Sequence, residues 1–226
     1  MNDQSLVYAI FEAIKKADSK SSLIESIIKL KFGYTERGDD KSYPRISFSI
    51  SPKDILDIAK DIKVSSLIEF GTESNATGLE KLLLAMAWKQ NDLKKLKGII
   101  EGINSTETDP DGKNLPLERL VFYYFGRHLV NPIQYPIIDQ HVIRAFAVFH
   151  ASTEKVDSQT VDINYWLKKN SLAAKNGWMI QEYLNWYSKW KNESSALKAV
   201  DDYNQKEFLA EVDFVLMQVG KKIKMK

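Results

Sequence analysis

The stretch Asn131-Pro132-Ile133-Gln134-Tyr135-Pro136-Ile137-Ile138-Asp139-Gln140-His141-Val142-Ile143-Arg144-Ala145-Phe146 decides how the chain is read. Two prolines hold its first half extended, because each fixes its own φ and turns the preceding residue away from the helical region. After Asp139 the pattern changes. Val142, Ile143, Phe146 and then Phe149 recur at three- and four-residue spacing, which is one apolar face of a helix. The run therefore delivers one carboxylate at a helix start, where the first N–H groups and the helix dipole favour its ionised form. Asp is also a common N-cap, and on residue pattern alone capping is the better account of the residue.

Helical patterns surround this segment on both sides. Leu6, Val7, Ile10, Phe11 and Ile14 form one stripe over 6–17. A second helix is expected to open with the capping box Ser22-Leu23-Ile24-Glu25 and to stop near Gly33. Residues 34–43 read as a loop, and Ile46, Phe48 and Ile50 alternate with polar residues, which predicts a marginal short strand over 45–50. Ser51-Pro52 begins another helix. Thr77-Gly78-Leu79-Glu80 opens the most apolar helix, which runs to Trp88 and is expected to be central. Leu93, Leu96, Ile99, Ile100 and Ile103 form the next stripe, with Lys94, Lys95 and Lys97 to its side. Residues 104–114, with Asp109-Pro110-Asp111-Gly112, read as a loop. Helices are expected over 117–130, 161–168, 177–191 and 206–219, with a basic tail over 220–226. The fold expectation is all-α: one two-lobed helical domain spanning 1–226, with a middle lobe of about 77–150 and the flanking helices of 1–70 and 151–219 forming the other lobe.

Composition narrows the chemistry. The 226 residues are 44% hydrophobic and 27% charged, which is ordinary for a globular chain. With no cysteine, disulfides, thiolate zinc sites, an iron–sulfur cluster and a cysteine nucleophile are all excluded. The three histidines, His128, His141 and His150, are not at the i, i+4 spacing of a helical metal pair. Neither a metal nor any other cofactor is expected. No run approaches the roughly 18 apolar residues of a membrane span, and the start Met1-Asn2-Asp3-Gln4-Ser5 lacks the basic region of a secretory signal. A cytoplasmic chain without a membrane partner is the expectation. A net charge of +2 argues for modest, salt-dependent affinity toward polyanions.

Ile138-Asp139-Gln140-His141-Val142-Ile143-Arg144 resembles the segment carrying the catalytic aspartate in the helix-hairpin-helix DNA glycosylases, the superfamily of endonuclease III and the 8-oxoguanine glycosylases. Leu82-Leu83-Leu84-Ala85-Met86-Ala87-Trp88-Lys89-Gln90-Asn91-Asp92, with the helix after it, is similar to that family's buried helix, the polar turn that follows and the next helix. The resemblance covers roughly 79–190. It implies a two-lobed helical fold, a DNA partner and a base turned out of the duplex beside Asp139. A fixed carboxylate there would stabilise the positive charge that builds on the sugar as the N-glycosidic bond breaks.

The chain also departs from that family. Its hairpin normally reads Leu-Pro-Gly-hydrophobic-Gly, so that backbone N–H groups can approach a phosphate; the corresponding place here is Leu115-Pro116-Leu117-Glu118-Arg119, without either glycine. The Schiff-base lysine of bifunctional members has no counterpart, since no lysine occurs between Lys113 and Lys155. The resemblance thus implies a monofunctional hydrolase using Asp139. A non-catalytic helical module binding DNA or protein on the same scaffold is the alternative. Candidate phosphate contacts are Arg127, Arg144, Lys94 and Lys95, with Lys168, Lys169 and the tail as further cations and Gly126 allowing close approach. His141, Gln90, Tyr124 and Trp186 are the candidates for a base pocket. For Tyr183, Trp186, Tyr187 and Trp190, which share one helical face, core packing is the competing explanation.

Overall fold

Apolar periods of three and four residues become helices throughout the computed structural model, which describes residues 3–35, 89–90, 92–108, 119–153, 161–198 and 200–224. Among these the regular elements are all helical. They are α1 (Asp3–Lys16), α2 (Lys20–Lys29), α3 (Leu93–Thr108), α4 (Leu120–Val130), α5 (Gln140–Thr153), α6 (Ile163–Lys168), a 3₁₀ turn (Ala174–Asn176), α7 (Gly177–Glu193), α8 (Ser195–Lys198) and α9 (Asp202–Lys222). The all-α expectation holds. The strand expected over 45–50, the helix begun by Ser51-Pro52, the central helix of 77–88 and the hairpin place 115–118 lie outside the described residues. No helix among the described residues is long and apolar enough to cross a membrane.

Two boundaries differ from expectation for local reasons. The α2 cap is Ser19, three residues before the expected one. Ser19 Oγ accepts from the Ser22 N–H at 3.2 Å and Ser22 Oγ accepts from the Ser19 N–H at 3.2 Å, so Ser22 is the far partner of the box. With serines at 19, 21 and 22, the cap register is not fixed by residue type. At the other end the left-handed residue directly beyond the cap is Lys31 (φ 52), and Gly33 (φ 87) follows it. Helix α3 continues through 104–108, where a loop is expected. Ser105 Oγ donates to Gly102 O at 2.7 Å and Thr106 Oγ1 to Ile103 O at 2.8 Å, so these polar side chains are satisfied inside the helix.

The chain divides into two compact units, Met1–Ile46 with Pro136–Lys226, and Ser47–Tyr135. The second boundary thus falls at Tyr135, not after 150, and α5 belongs with the terminal helices. In the Ser47–Tyr135 unit, α3 and α4 pack backbone to backbone. A Cβ on Gly102 would fall on the Tyr123 carbonyl, and one on Gly126 would fall on the Ile99 carbonyl. Gly126, expected to let a phosphate approach, instead lets α3 approach.

In the other unit, α5 is nearly enclosed: Val142 through Phe149 are all buried. Phe11 of α1 stacks on Phe149 at 4.1 Å, and Trp186 of α7 meets Phe11 edge-on at 4.9 Å. Tyr183, Tyr187 and Trp190 are buried in the same core, whereas Trp178 at the start of α7 is 41% exposed. The α7 aromatic stripe is therefore mostly packing. Helix α9 crosses the start of α5 at Gly220, where a Cβ would fall on the His141 carbonyl.

Candidate functional site

Asp139 caps α5. Its Oδ1 accepts from the His141 N–H at 2.7 Å and the Val142 N–H at 2.8 Å, while its carbonyl accepts from the Ile143 N–H at 3.1 Å. The side chain is half-buried, and both of these carboxylate bonds go to one oxygen. That leaves Oδ2 with no hydrogen bond to a described residue. The extended approach to the cap is itself anchored: Asp213 of α9, 2% exposed, accepts the Ile137 N–H on Oδ2 at 3.1 Å. Tyr135 and Ile138 on either side are buried. Proline stiffness and one buried carboxylate thus fix where Asp139 stands.

His141 and Arg144 sit beside it and depend on each other. Arg144 Nη1 lies 2.7 Å from His141 Nδ1. A guanidinium can only donate, so Nδ1 accepts and the imidazole proton is on Nε2. Burial holds His141 below the ordinary histidine range. Asp139 opposes that shift, and the charges of Arg144 and Lys221 add to it. His128 shows the other tautomer: its Nδ1 lies 2.9 Å from Tyr135 O and must carry the proton there. Burial lowers His128 as well, against that hydrogen bond.

Arg144 is fully buried. Its Nε donates to Trp166 O at 3.2 Å, Nη1 to Gly220 O at 2.7 Å, and Nη2 to Lys169 O. The side chain ties α5 to the ends of α6 and α9, so the expectation that it contacts phosphate is corrected. Burial works against its charge and Asp139 favours it.

The other candidates are dispersed. Arg127 is also buried, at 1% exposure, with its guanidinium 4.3 Å from the Tyr135 ring and Nη1 3.3 Å from Tyr123 Oη. It cannot present a charge to DNA from there. Tyr124 is buried at 1% exposure and edge-on to Tyr123. Lys95 is exposed but pairs with Asp92 directly before its helix, and Lys97 pairs with Glu101 within it at 3.6 Å. Lys94 lies on α3, and its side chain is outside the described part. Gln90 is exposed. Trp186 packs on Phe149, ten residues along α5 from Asp139 and hence roughly 15 Å of helix rise away. A pocket built on Trp186 is therefore not beside Asp139.

The structure thus joins Asp139, His141 and Arg144. It adds residues that periodicity could not supply: Asp213 and Gly220 on α9, the carbonyls of Trp166 and Lys169, and Lys221, which reaches His141 electrostatically because Gly220 admits the close crossing. The arrangement offers one rigid, half-exposed carboxylate with a cation nearby. Among the described residues no cluster of three or more His, Asp or Glu could hold a metal ion. Compared with known proteins, the chain matches no family model, no curated protein and no solved structure.

Proposed function

We propose that the chain is a DNA glycosylase-like protein that binds a flipped damaged base and hydrolyses its N-glycosidic bond, with Asp139 as the catalytic carboxylate. The observation that carries this reading is the state of Asp139. Oδ1 is clamped by two backbone N–H groups, and Oδ2 is left to face positive charge developing on a sugar or to orient water. Such a preformed carboxylate needs no reorganisation when the charge appears, which is what electrostatic stabilisation of a cationic transition state requires. Lys221, at the last turn of α9, acts electrostatically on His141 and suits a phosphate.

The family's Schiff-base lysine has no counterpart between 113 and 155, which supports a hydrolytic reaction over one that uses the family's usual lysine. Duplex oligonucleotides carrying a panel of modified bases should lose the base and leave an intact abasic strand. That strand should break only on alkaline treatment, and borohydride should trap no protein–DNA adduct. Direct strand breakage or a trapped adduct would overturn the monofunctional reading.

A second reading is a non-catalytic helical module binding DNA or protein on the same scaffold. The burial of Arg127 and Arg144 favours it, since two of the four expected phosphate contacts serve the interior instead. DNA affinity without base release from any lesion would support this reading over the first.

A further inference from the structure

Arg144 donates to Gly220 O and Lys169 O, and so brings the C-terminal ends of α9 and α6 together at the start of α5. Both ends are basic. Lys168 and the cap Lys169 close α6, Lys221 and Lys222 close α9, and Lys175 lies on the 3₁₀ turn that follows α6. Lys168, Lys175, Lys221 and Lys222 are exposed and make no ion pair with a described residue. Lys169 turns back over the Tyr165 ring, 4.8 Å from its centre, and donates to Tyr165 Oη at 2.7 Å. Asn176, 2% exposed, donates to the same oxygen at 2.9 Å. With both lone pairs of the hydroxyl taken, its own proton has no acceptor among the described residues. Burial alone would raise this hydroxyl's pKa; the bonds from Lys169 and Asn176 and the charges of Lys169 and Lys175 outweigh it and bring it below the ordinary tyrosine value. Beside this group Trp178 is 41% exposed, and the buried Trp166 meets both rings edge-on, Tyr165 at 5.3 Å and Trp178 at 6.4 Å. Two carboxylates flank the five lysines in sequence: Asp162, which caps α6, and Glu182, one turn past Trp178.

We propose that this face binds single-stranded nucleic acid, with Trp178 stacking on an unpaired base and Tyr165, Lys169 and Lys175 holding the backbone phosphates beside it. The lysines and the Tyr165 O–H have protons to give and need acceptors, which phosphates supply. Trp178 offers a ring, and a base gives that ring its flat face only when it is not paired and stacked in a duplex. Lysines interleaved with an open aromatic are how a strand is held without regard to its sequence. Lys169 already covers one face of Tyr165, so Trp178 is the stacking ring and Tyr165 serves through its hydroxyl. Lys221 extends the basic face to His141, on which its charge acts. A strand lying across both helix ends therefore runs past Asp139. The meaning of that path rests on the glycosylase reading, whereas the binding itself does not.

The test is titration of the full chain with a labelled oligothymidylate of about 12 nucleotides and with a duplex of the same length, followed by anisotropy and tryptophan fluorescence, with poly-glutamate as competitor. The single strand should bind more tightly than the duplex and quench the tryptophan emission, and poly-glutamate should compete poorly. Trp178→Ala should weaken the single strand about tenfold, reduce the quenching and leave the duplex affinity unchanged. Its melting temperature should stay within a few degrees of the wild type, because the ring it removes is partly in solvent. Lys169→Gln with Lys175→Gln should lower the slope of log affinity against log salt by about 0.7 to 1.4, at roughly 0.7 per phosphate of a single strand. Asp139→Asn should bind the strand as the wild type does, so failure of this proposal and failure of the Asp139 chemistry are read apart. Equal or tighter binding of the duplex, poly-glutamate competing as well as the oligonucleotide, or unchanged strand affinity in Trp178→Ala would each overturn the proposal.

Discussion

Arg144 shows how far a residue's role can lie from its local pattern. In sequence it is a cation one turn into a helix, suited to a phosphate. In the fold its three carbonyl partners come from 22, 25 and 76 residues away, and no spacing rule links them. Replacing it with Leu leaves the Trp166, Lys169 and Gly220 carbonyls without their donor, and the expected loss is about 3 kcal/mol in a urea titration. A loss within 0.5 kcal/mol would show that these bonds do not matter. Asp139 was legible because capping is local: the donors are two and three residues ahead. The histidines add a pH dependence. His128 and His141 are both held below the unfolded value near 6.5, so between their folded values and that pH the unfolded chain binds more protons than the native one. Stability is then full above about pH 6.5 and falls as the pH drops through it. The urea midpoint should decrease from pH 7.5 to 5.5, and His128→Gln should flatten that slope. A midpoint that rises over this interval would reverse the assigned sign.

At the scale of elements, period and capping gave the helices but not how closely they meet. The stripe Leu96, Ile99, Ile100 and Ile103 is plain in the sequence. Gly102 looks like a mere helix-weakening residue there and Gly126 like a place for a phosphate to approach, because what they touch lies on another helix. Each removes a Cβ that would strike a carbonyl of the facing helix. Gly102→Ala and Gly126→Ala should each destabilise the protein by about 1–3 kcal/mol through overpacking, although alanine is the better helix former. Thermal melts of the two variants check this. A melting temperature raised by either substitution would mean that propensity outweighs the clash. The misplaced α2 cap and the misread 104–108 segment have a different cause. Serine and threonine can bond their own helix or end it, and only the surrounding chain decides which.

On the scale of the whole molecule, the net charge of +2 set a low expectation for DNA affinity, and the structure lowers it further. Arg127 and Arg144 are buried, Lys95 pairs with Asp92 directly before α3, and Lys97 pairs with Glu101 within it. Lys221 and Lys222 at the end of α9 remain exposed on the unit that carries Asp139. If they hold phosphates, Lys221→Gln with Lys222→Gln should reduce the slope of log affinity against log salt by about 1–2, at roughly 0.9 per duplex phosphate contact. Fluorescence anisotropy over a salt series measures it, and an unchanged slope would remove both lysines from the interface. The central claim rests on one carboxylate oxygen, and Asp139→Asn isolates it, since asparagine caps a helix about as well as aspartate but carries no charge. Single-turnover base release from the best lesion substrate, with the melting temperature measured alongside, should fall about 100-fold or more in the variant while the melting temperature stays within a few degrees. Equal release by the wild type and Asp139→Asn would contradict the account.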